Sequence, residues 1–170
     1  IAGMIHAVAA IDRAALRKPV WLAFTFEEEI GCHGAKLMAE VGPLQAEHCI
    51  IGEPTGLRPV TAHKGYVIAD ISFQGTPCHS SDPGQGASAL RAAARSLEAL
   101  LSLGEEWRAQ PDPSCGLEPP WTTVNVGLLR GGTARNVVPE SASLTLEMRP
   151  LPGLEVDLLL GQARAVVEEA

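Results

Sequence analysis

Three consecutive glutamates, Glu27, Glu28 and Glu29, come directly after the apolar segment Val20–Phe26. This segment is far shorter than the roughly 20 residues of a membrane helix, and its lack of polar alternation predicts a strand buried on both faces. Such strands occur in parallel sheets that are covered by helices on both sides. A helix is predicted near Ala35–Glu40, so this part of the chain has the α/β pattern, with its acids at the carboxyl end of a strand.

A second short apolar segment, His48–Ile51, ends in a similar way, because Glu53 and Pro54 follow it. Proline cannot continue a sheet ladder, so this strand is expected to end at Glu53. Parallel strands that are joined by a helix place their carboxyl ends at one edge of the sheet, where ligands bind in open α/β folds. Glu53 and the three earlier glutamates are therefore expected to face one site.

Two interpretations of these carboxylates are open. Clustered acids at the edge of a core repel one another and lose hydration, and a bound cation relieves both costs. The alternative is a structural acidic cluster at a helix N-terminus, where the helix dipole favours negative charge. The occurrence of acids after two successive predicted strands favours the metal site.

Four segments of the chain are similar, in sequence and in order, to motifs of one enzyme family. They are Leu22–Cys32, Cys49–Thr55, Ala62–Gly65 and His79–Pro83, and the similarity continues to Arg149–Gly153. They resemble the acetylornithine deacetylase group of the two-metal aminoacylase and carboxypeptidase family, which also includes succinyl-diaminopimelate desuccinylase. The resemblance implies the α/β portion of a metallopeptidase-type catalytic domain, followed by an α+β ferredoxin-like lid that also serves dimerisation, both truncated in this chain.

The resemblance also implies a role for each acid. Glu28 corresponds to the general base, Glu29 to a ligand of one metal and Glu53 to a ligand of the other. Glu27 stands where the family usually has aspartate, which leaves Glu27 and Glu28 as an alternative pair, but the Ile30–Gly31 that follows favours the first assignment. The implied cofactor is a divalent metal, zinc or cobalt, with two ions in each active site. Such a site lowers the pKa of bound water from about 15.7 towards about 7.

The chain is expected to be an incomplete part of such an enzyme. Family members carry a histidine and a metal-bridging aspartate before the segment that matches Ile1–Met4, and a last histidine ligand after the second domain. No position of this sequence matches any of these three ligands. Because two carboxylates without imidazole leave a site open and like-charged, the fragment itself is expected to bind metal weakly and to hydrolyse nothing.

The sequence pattern changes close to residue 64, which predicts a partial catalytic domain over 1–64 and a lid over 65–170. Three later segments alternate, and their apolar faces are Val67, Ala69, Ile71 and Phe73; Val124, Val126 and Leu128; and Ala142, Leu144, Leu146 and Met148. A sheet with one wet face and helices on the other explains all three segments. Helices are predicted over about Gly86–Leu103 and from Leu154, and a long loop over Glu105–Pro120. The order β-α-β-β-α indicates a ferredoxin-like unit whose closing strand is expected beyond Ala170.

Three residues of the lid are functional candidates. His79 lies in a loop rich in glycine and proline, where an isolated histidine is usually a solvated surface residue. The resemblance implies instead the lid histidine that reaches the active site of a neighbouring subunit and stabilises the tetrahedral oxyanion. Asn136 and Arg149 correspond to lid residues that hold the substrate carboxylate, and the fork of arginine suits that role. The alternatives are a turn residue for Asn136 and a surface charge at a strand end for Arg149.

Composition narrows the choice of partners. Hydrophobic residues make up 46% of the 170 residues, which is ample for a core, and no segment approaches a membrane helix. The net charge of −7, without a basic cluster, argues against nucleic acid and anionic membranes as partners. Four widely spaced cysteines and the lack of a visible signal peptide indicate reduced thiols and a cytoplasmic protein.

The resemblance therefore implies a metal-dependent amidohydrolase that removes the acyl group from an N-acyl amino acid and forms a homodimer through its lid. N-acetylornithine, an intermediate of arginine biosynthesis, is the first candidate substrate. The alternatives are a desuccinylase or peptidase of the same family, and a non-catalytic dimerisation or binding module derived from it.

Overall fold

The computed structural model describes residues 1–42 and 45–170, and the chain separates into a first unit, Ile1–Pro59, and a second unit, Val60–Ala170. The first unit contains helix α1 (Ala2–Ala9), a 3-10 turn (Arg13–Ala15) and helix α2 (His33–Val41). The second unit contains β1 (Val67–Gln74), a 3-10 turn (Pro83–Gln85), α3 (Ala89–Arg108), a 3-10 turn (Pro113–Cys115), β2 (Thr123–Gly131), β3 (Ser141–Arg149) and α4 (Val156–Glu169). Within residues 1–42 and 45–170, no helix is long and apolar enough to cross a membrane. The functional division at residue 64 stays a prediction.

The three strands of the second unit form one antiparallel sheet in the order β1-β3-β2. In the β1–β3 ladder Val67 lies opposite Met148, and Gln74 lies opposite Ser141. The ladder between β2 and β3 begins with Thr123 opposite Arg149. Element order and strand order together confirm the α+β lid expected from the alternating segments.

The core of the second unit lies between this sheet and its helices. Its buried members come from α3, β3 and α4: Leu100, Leu103, Leu144, Leu146, Met148, Leu159 and Ala163. The predicted inward face of β1 packs against this cluster, and all four apolar residues of β3 are buried as predicted. Side chains alternate across a strand, so the opposite face of the sheet remains open to solvent.

The predicted apolar face of β2 is wrong at one residue, Leu128. A β-bulge between Val126 and Leu128 shifts the register of β2, so that Leu128 lies opposite Thr145 and Leu129 lies opposite Leu144. An extra residue in one strand turns the following side chains to the other face of the sheet. Leu128 is consequently 48% exposed.

Helix α3 starts and ends differently from the prediction. Ser88 caps its N-terminus, because the Ser88 hydroxyl accepts the backbone N–H of Arg91 at 3.2 Å. The helix continues to Arg108, so the predicted loop begins after that residue and not at Glu105. Trp107 packs against the core and Arg108 forms an ion pair with Glu105 at 3.4 Å, which explains the additional helical turn.

The first unit corrects the prediction of two buried strands. Among its described residues no strand is formed: Val20–Phe26 and His48–Ile51 follow paths without a ladder, and Trp21 and Ile50 are 58% and 86% exposed. A doubly buried strand needs neighbouring strands and covering helices, which the described residues of this unit do not supply. Helix α2 confirms the helix predicted after the acids.

Candidate functional site

The three glutamates lie in an exposed turn that leads into α2. Glu27 has a left-handed backbone with a φ of 55°, and its Oε2 lies 2.8 Å from Nδ1 of His33, the first residue of the helix. The carbonyl oxygen of Glu28 accepts backbone hydrogen bonds from Gly31 at 3.2 Å and from Cys32 at 3.1 Å. The Cys32 thiol lies 4.0 Å from Oε1 of Glu28. Within the described residues, the first turn of α2 contains no acidic residue and its N-cap residue Cys32 makes no side-chain cap hydrogen bond, so the structural alternative is not confirmed.

The predicted metal ligands are not gathered into a site. Glu29 and Glu53 are both exposed, and Glu53 lies in an irregular segment where its carbonyl oxygen accepts the backbone N–H of Thr55 at 2.9 Å. Within residues 1–42 and 45–170, no group of three or more histidine, cysteine, aspartate or glutamate side chains could hold a metal ion. Solvated, separate carboxylates do not fit a divalent metal by themselves, because the ion needs several converging ligands.

Two candidate residues of the lid do come together. The His79 loop and the Asn136 loop run side by side, joined by a β-bridge between His79 and Val137. The Ser80 N–H donates to the carbonyl of Asn136 at 3.0 Å, and the Val138 N–H donates to the carbonyl of Cys78 at 2.9 Å. Backbone hydrogen bonds therefore fix the two loops as one rigid surface.

Ser81 determines which nitrogen of the His79 ring carries the proton. Nδ1 of His79 accepts the backbone N–H of Ser81 at 3.2 Å, and it lies 2.8 Å from the Ser81 hydroxyl oxygen. A backbone N–H can only donate, so Nδ1 is the acceptor and Nε2 carries the hydrogen in the neutral ring. The ring therefore offers one N–H donor that these contacts do not use, as an oxyanion-stabilising group requires.

Arg149 lies at the other end of the sheet. The His79 loop follows β1 and the Asn136 loop precedes β3, so both adjoin the end of the sheet where Gln74 pairs with Ser141. Arg149 is the last residue of β3, whose length from Ser141 is roughly 27 Å at about 3.4 Å per residue. Nε of Arg149 donates to Oε1 of Glu147 at 2.6 Å, and its guanidinium carbon lies 5.2 Å from the centre of the Tyr66 ring. Asn136 and Arg149 thus belong to opposite ends of β3.

The backbone beside Arg149 is held by polar contacts of its own. Nζ of Lys64 donates to the carbonyl of Trp121 at 2.7 Å, and burial lowers the pKa of this lysine while the Cys115 thiol and the Glu118 carboxyl oppose the shift. The buried Thr122 hydroxyl accepts the N–H of Leu151 at 3.3 Å. Arg149 is thus presented by a well-fixed strand end.

Several residues that contact the candidates were not identified from the sequence, among them Ser81, His33 and Tyr66. Ser81 lies two positions after His79, a spacing at which a short polar side chain commonly bonds in a turn, so the local sequence held a signal. His33 lies in the turn after the acids and could have been suspected as a partner of Glu27. Tyr66 gave no signal of its own, because its contact with Arg149 depends on strand register.

Comparison with known proteins agrees with the architecture of the second unit. Residues 61–170, more than half of the chain, match the sequence profile of the peptidase dimerisation domain of M20 peptidases. The chain belongs to the M20 peptidase family. Three relatives that are 34–42% identical to the chain are named acetylornithine deacetylase. The acetylornithine deacetylase of Myxococcus xanthus is 42% identical over 153 residues, which are 90% of this chain and 40% of that protein.

A second M20 relative agrees with the first. The acetylornithine deacetylase of Erwinia tasmaniensis is 38% identical over 160 residues, covering 92% of this chain and 42% of that protein. The chain thus spans less than half the length of these curated relatives. A solved structure from Burkholderia cenocepacia, described as an amidohydrolase/peptidase, has a TM-score of 0.51 at 22% identity and covers 63% of this chain and 24% of its own. This likeness shows the shared fold alone.

Proposed function

We propose that the whole protein is an M20 amidohydrolase that removes the acyl group from an N-acyl amino acid, with N-acetylornithine as the first candidate substrate. The observation that carries this proposal is the 42% identity to an acetylornithine deacetylase over 90% of the chain, which includes both units. We place the reaction in arginine biosynthesis in the cytoplasm, and the four cysteines, all free in the structure, are compatible with a reducing compartment.

In this proposal His79 stabilises the transition state. When water adds to the amide carbonyl of the substrate, negative charge develops on the carbonyl oxygen, and the Nε2–H of His79 is a donor suited to it. The hydrogen bond from Ser81 to Nδ1 keeps that donor in place. Because the bond strengthens as charge develops, it accelerates the reaction more than it strengthens substrate binding.

Glu28 is proposed as the general base, and Glu29 and Glu53 as ligands of two divalent metals, zinc or cobalt. These roles rest on the resemblance of the motifs, since the described residues do not assemble a metal site. The proposal therefore requires further ligands in the whole protein. A carboxylate that binds no metal can take a proton from water and return it to the leaving amine.

The positions of the lid residues support a homodimeric active site. His79 and Asn136 lie together near the Ser141 end of β3, while Arg149 lies at the other end of this strand, which is roughly 27 Å long. An N-acyl amino acid is much shorter than this distance. A site that uses both ends of the sheet therefore needs His79 and Asn136 from one subunit and Arg149 from the other, which fits the dimerisation domain.

A metal-dependent deacylation assay on the whole protein tests the proposed function. The protein is depleted of metal, reloaded with zinc or cobalt, and offered N-acetylornithine, N-succinyl-diaminopimelate and a dipeptide. Release of ornithine that depends on metal, and exceeds release from the other two substrates, is the expected result. Preferred hydrolysis of the succinyl or peptide substrate would assign another activity of the family. No hydrolysis by metal-loaded protein would favour the non-catalytic dimerisation module.

A further inference from the structure

Tyr66 is placed against Arg149 by the register of the sheet. The β1–β3 ladder pairs Val67 with Met148, and it continues beyond the strand end, because the Gly65 N–H donates to the carbonyl of Pro150 at 2.8 Å. Tyr66 lies between these two pairs and is therefore directly opposite Arg149. Met148 points into the core, so Arg149 and Tyr66 share the open face of the sheet.

Two contacts fix the guanidinium of Arg149. The Tyr66 ring lies 5.2 Å from the guanidinium carbon, within the range of a cation–π interaction, and Nε donates to Oε1 of Glu147 at 2.6 Å. The two terminal nitrogens make no hydrogen bond within the described residues. A guanidinium held by its ring face and its Nε keeps both terminal nitrogens for one further ligand.

We propose that Tyr66 and Glu147 are positioning residues that present the terminal nitrogens of Arg149 to the carboxylate of the substrate. This inference rests on the proposed function, because an N-acyl amino acid supplies that carboxylate. A planar carboxylate accepts two parallel hydrogen bonds from the fork of arginine, and this geometry requires a fixed guanidinium plane. Pre-ordering the side chain removes part of the entropy that binding would otherwise lose.

The two positioning residues are tested by paired substitutions in the whole protein. Tyr66→Phe keeps the aromatic face, and Tyr66→Leu removes it. KM for N-acetylornithine should be about two- to fivefold higher in the leucine variant than in the phenylalanine variant, with kcat little changed. Glu147→Gln keeps an acceptor for Nε and Glu147→Ala does not, so KM should be higher for the alanine variant. Ser72→Ala, an exposed change farther along the same face of β1 and opposite Ser143, should leave KM unchanged.

Two further measurements separate positioning from structural damage. With the carboxamide of N-acetylornithine, which lacks the carboxylate, the Tyr66 and Glu147 pairs should no longer differ. Calorimetric titration with N-acetylornithine should give dissociation constants in the same order as the KM values. Equal KM values within each pair, in active protein, would overturn the inference and leave the proposed function intact.

Failure of the proposed function would give a different result from failure of the inference. Protein that binds N-acetylornithine with the expected order of affinities but does not hydrolyse it would overturn the proposed function and support the positioning role. Protein that neither binds nor hydrolyses N-acetylornithine would overturn both. A loss of affinity that is as large for the carboxamide as for the carboxylate would show a structural effect and reject the inference.

Discussion

Glu28 and Glu29 are neighbours in the chain but have different local settings. The carbonyl of Glu28 closes the turn into α2 by accepting two backbone hydrogen bonds, and its carboxylate lies near the Cys32 thiol. Glu29 follows within that turn with an exposed side chain. Adjacent carboxylates in such a turn can serve different purposes, and the proposed function assigns proton transfer to Glu28 and metal binding to Glu29.

We therefore expect different losses from the two substitutions in the whole protein. Glu28→Gln keeps the side-chain volume and polarity but removes the base, so turnover should fall by about a hundredfold or more while metal content is unchanged. Glu29→Ala should lower the metal content itself. Elemental analysis of the purified variants, beside a deacylation assay, measures both. Equal metal loss in the two variants would contradict the assignment, and Glu40→Gln in α2 is a matched control.

The position of the His79 loop depends on the end of β1, because Gly75 connects this strand to the loop. The Gly75 N–H donates to the carbonyl of Glu140 at 2.6 Å. A Cβ at this position would collide with the Ala87 carbonyl oxygen and come within 2.9 Å of the Pro139 carbonyl oxygen. Backbone atoms cannot move aside as a flexible side chain can, so only glycine fits.

Gly75→Ala is expected to destabilise the second unit by about 1–3 kcal/mol, the usual cost of overpacking. Gly84→Ala is the matched control, because its new Cβ would meet only Oδ1 of Asp82 at an ordinary 3.7 Å. Thermal unfolding of the whole protein compares the two variants, and activity at a temperature below both transitions reports the His79 loop. Similar unfolding temperatures for the two variants would show that this junction is not tightly packed.

At the scale of the whole molecule, structural features that depend on the local sequence pattern were predicted correctly. Features that depend on contacts between distant segments were not predicted. The alternation from Ala142 to Met148 identified β3 because each residue's face follows from its position in one strand. The bulge before Leu128 could not be predicted, since it belongs to a pair of strands. The segment Val20–Phe26 has the composition of a buried strand, but without partner strands that composition cannot produce a ladder.

The same distinction between local pattern and distant contacts applies to the candidate site. The motifs identified His79, Asn136 and Arg149 individually through their resemblance to family residues. Which of them meet is a property of the fold: hydrogen-bonded loops join His79 to Asn136, and the length of β3 separates both from Arg149. Tyr66 became visible only through strand register, which a single sequence does not reveal.

The proposed dimeric site predicts complementation between two inactive forms of the whole protein. His79→Ala should lower turnover by about 10²–10³, as for loss of one oxyanion donor, with a smaller effect on KM. If His79 serves the neighbouring subunit, mixing this variant with Glu28→Gln should restore part of the activity, because some sites then have both residues intact. The assay is run under conditions that exchange subunits, and the heterodimer is verified by mass.

Two controls accompany this experiment. Each variant mixed with itself should remain inactive, and a covalently linked heterodimer should be more active than the exchanged mixture, because the mixture still contains inactive homodimers. Verified heterodimers without activity would reject action between subunits and return His79 to its own chain.

The central position of β3 also has a consequence for synthesis of the chain. β2 and β3 are joined by a short connection, whereas β1 must wait for α3 and β2 to be made before its partner strand emerges. Pairing of β1 with β3 therefore closes a long loop and is the slower of the two ladders to form. Until then the apolar side of β1 has only α3 to cover it, which makes the period before β3 leaves the ribosome the time of greatest exposure to aggregation.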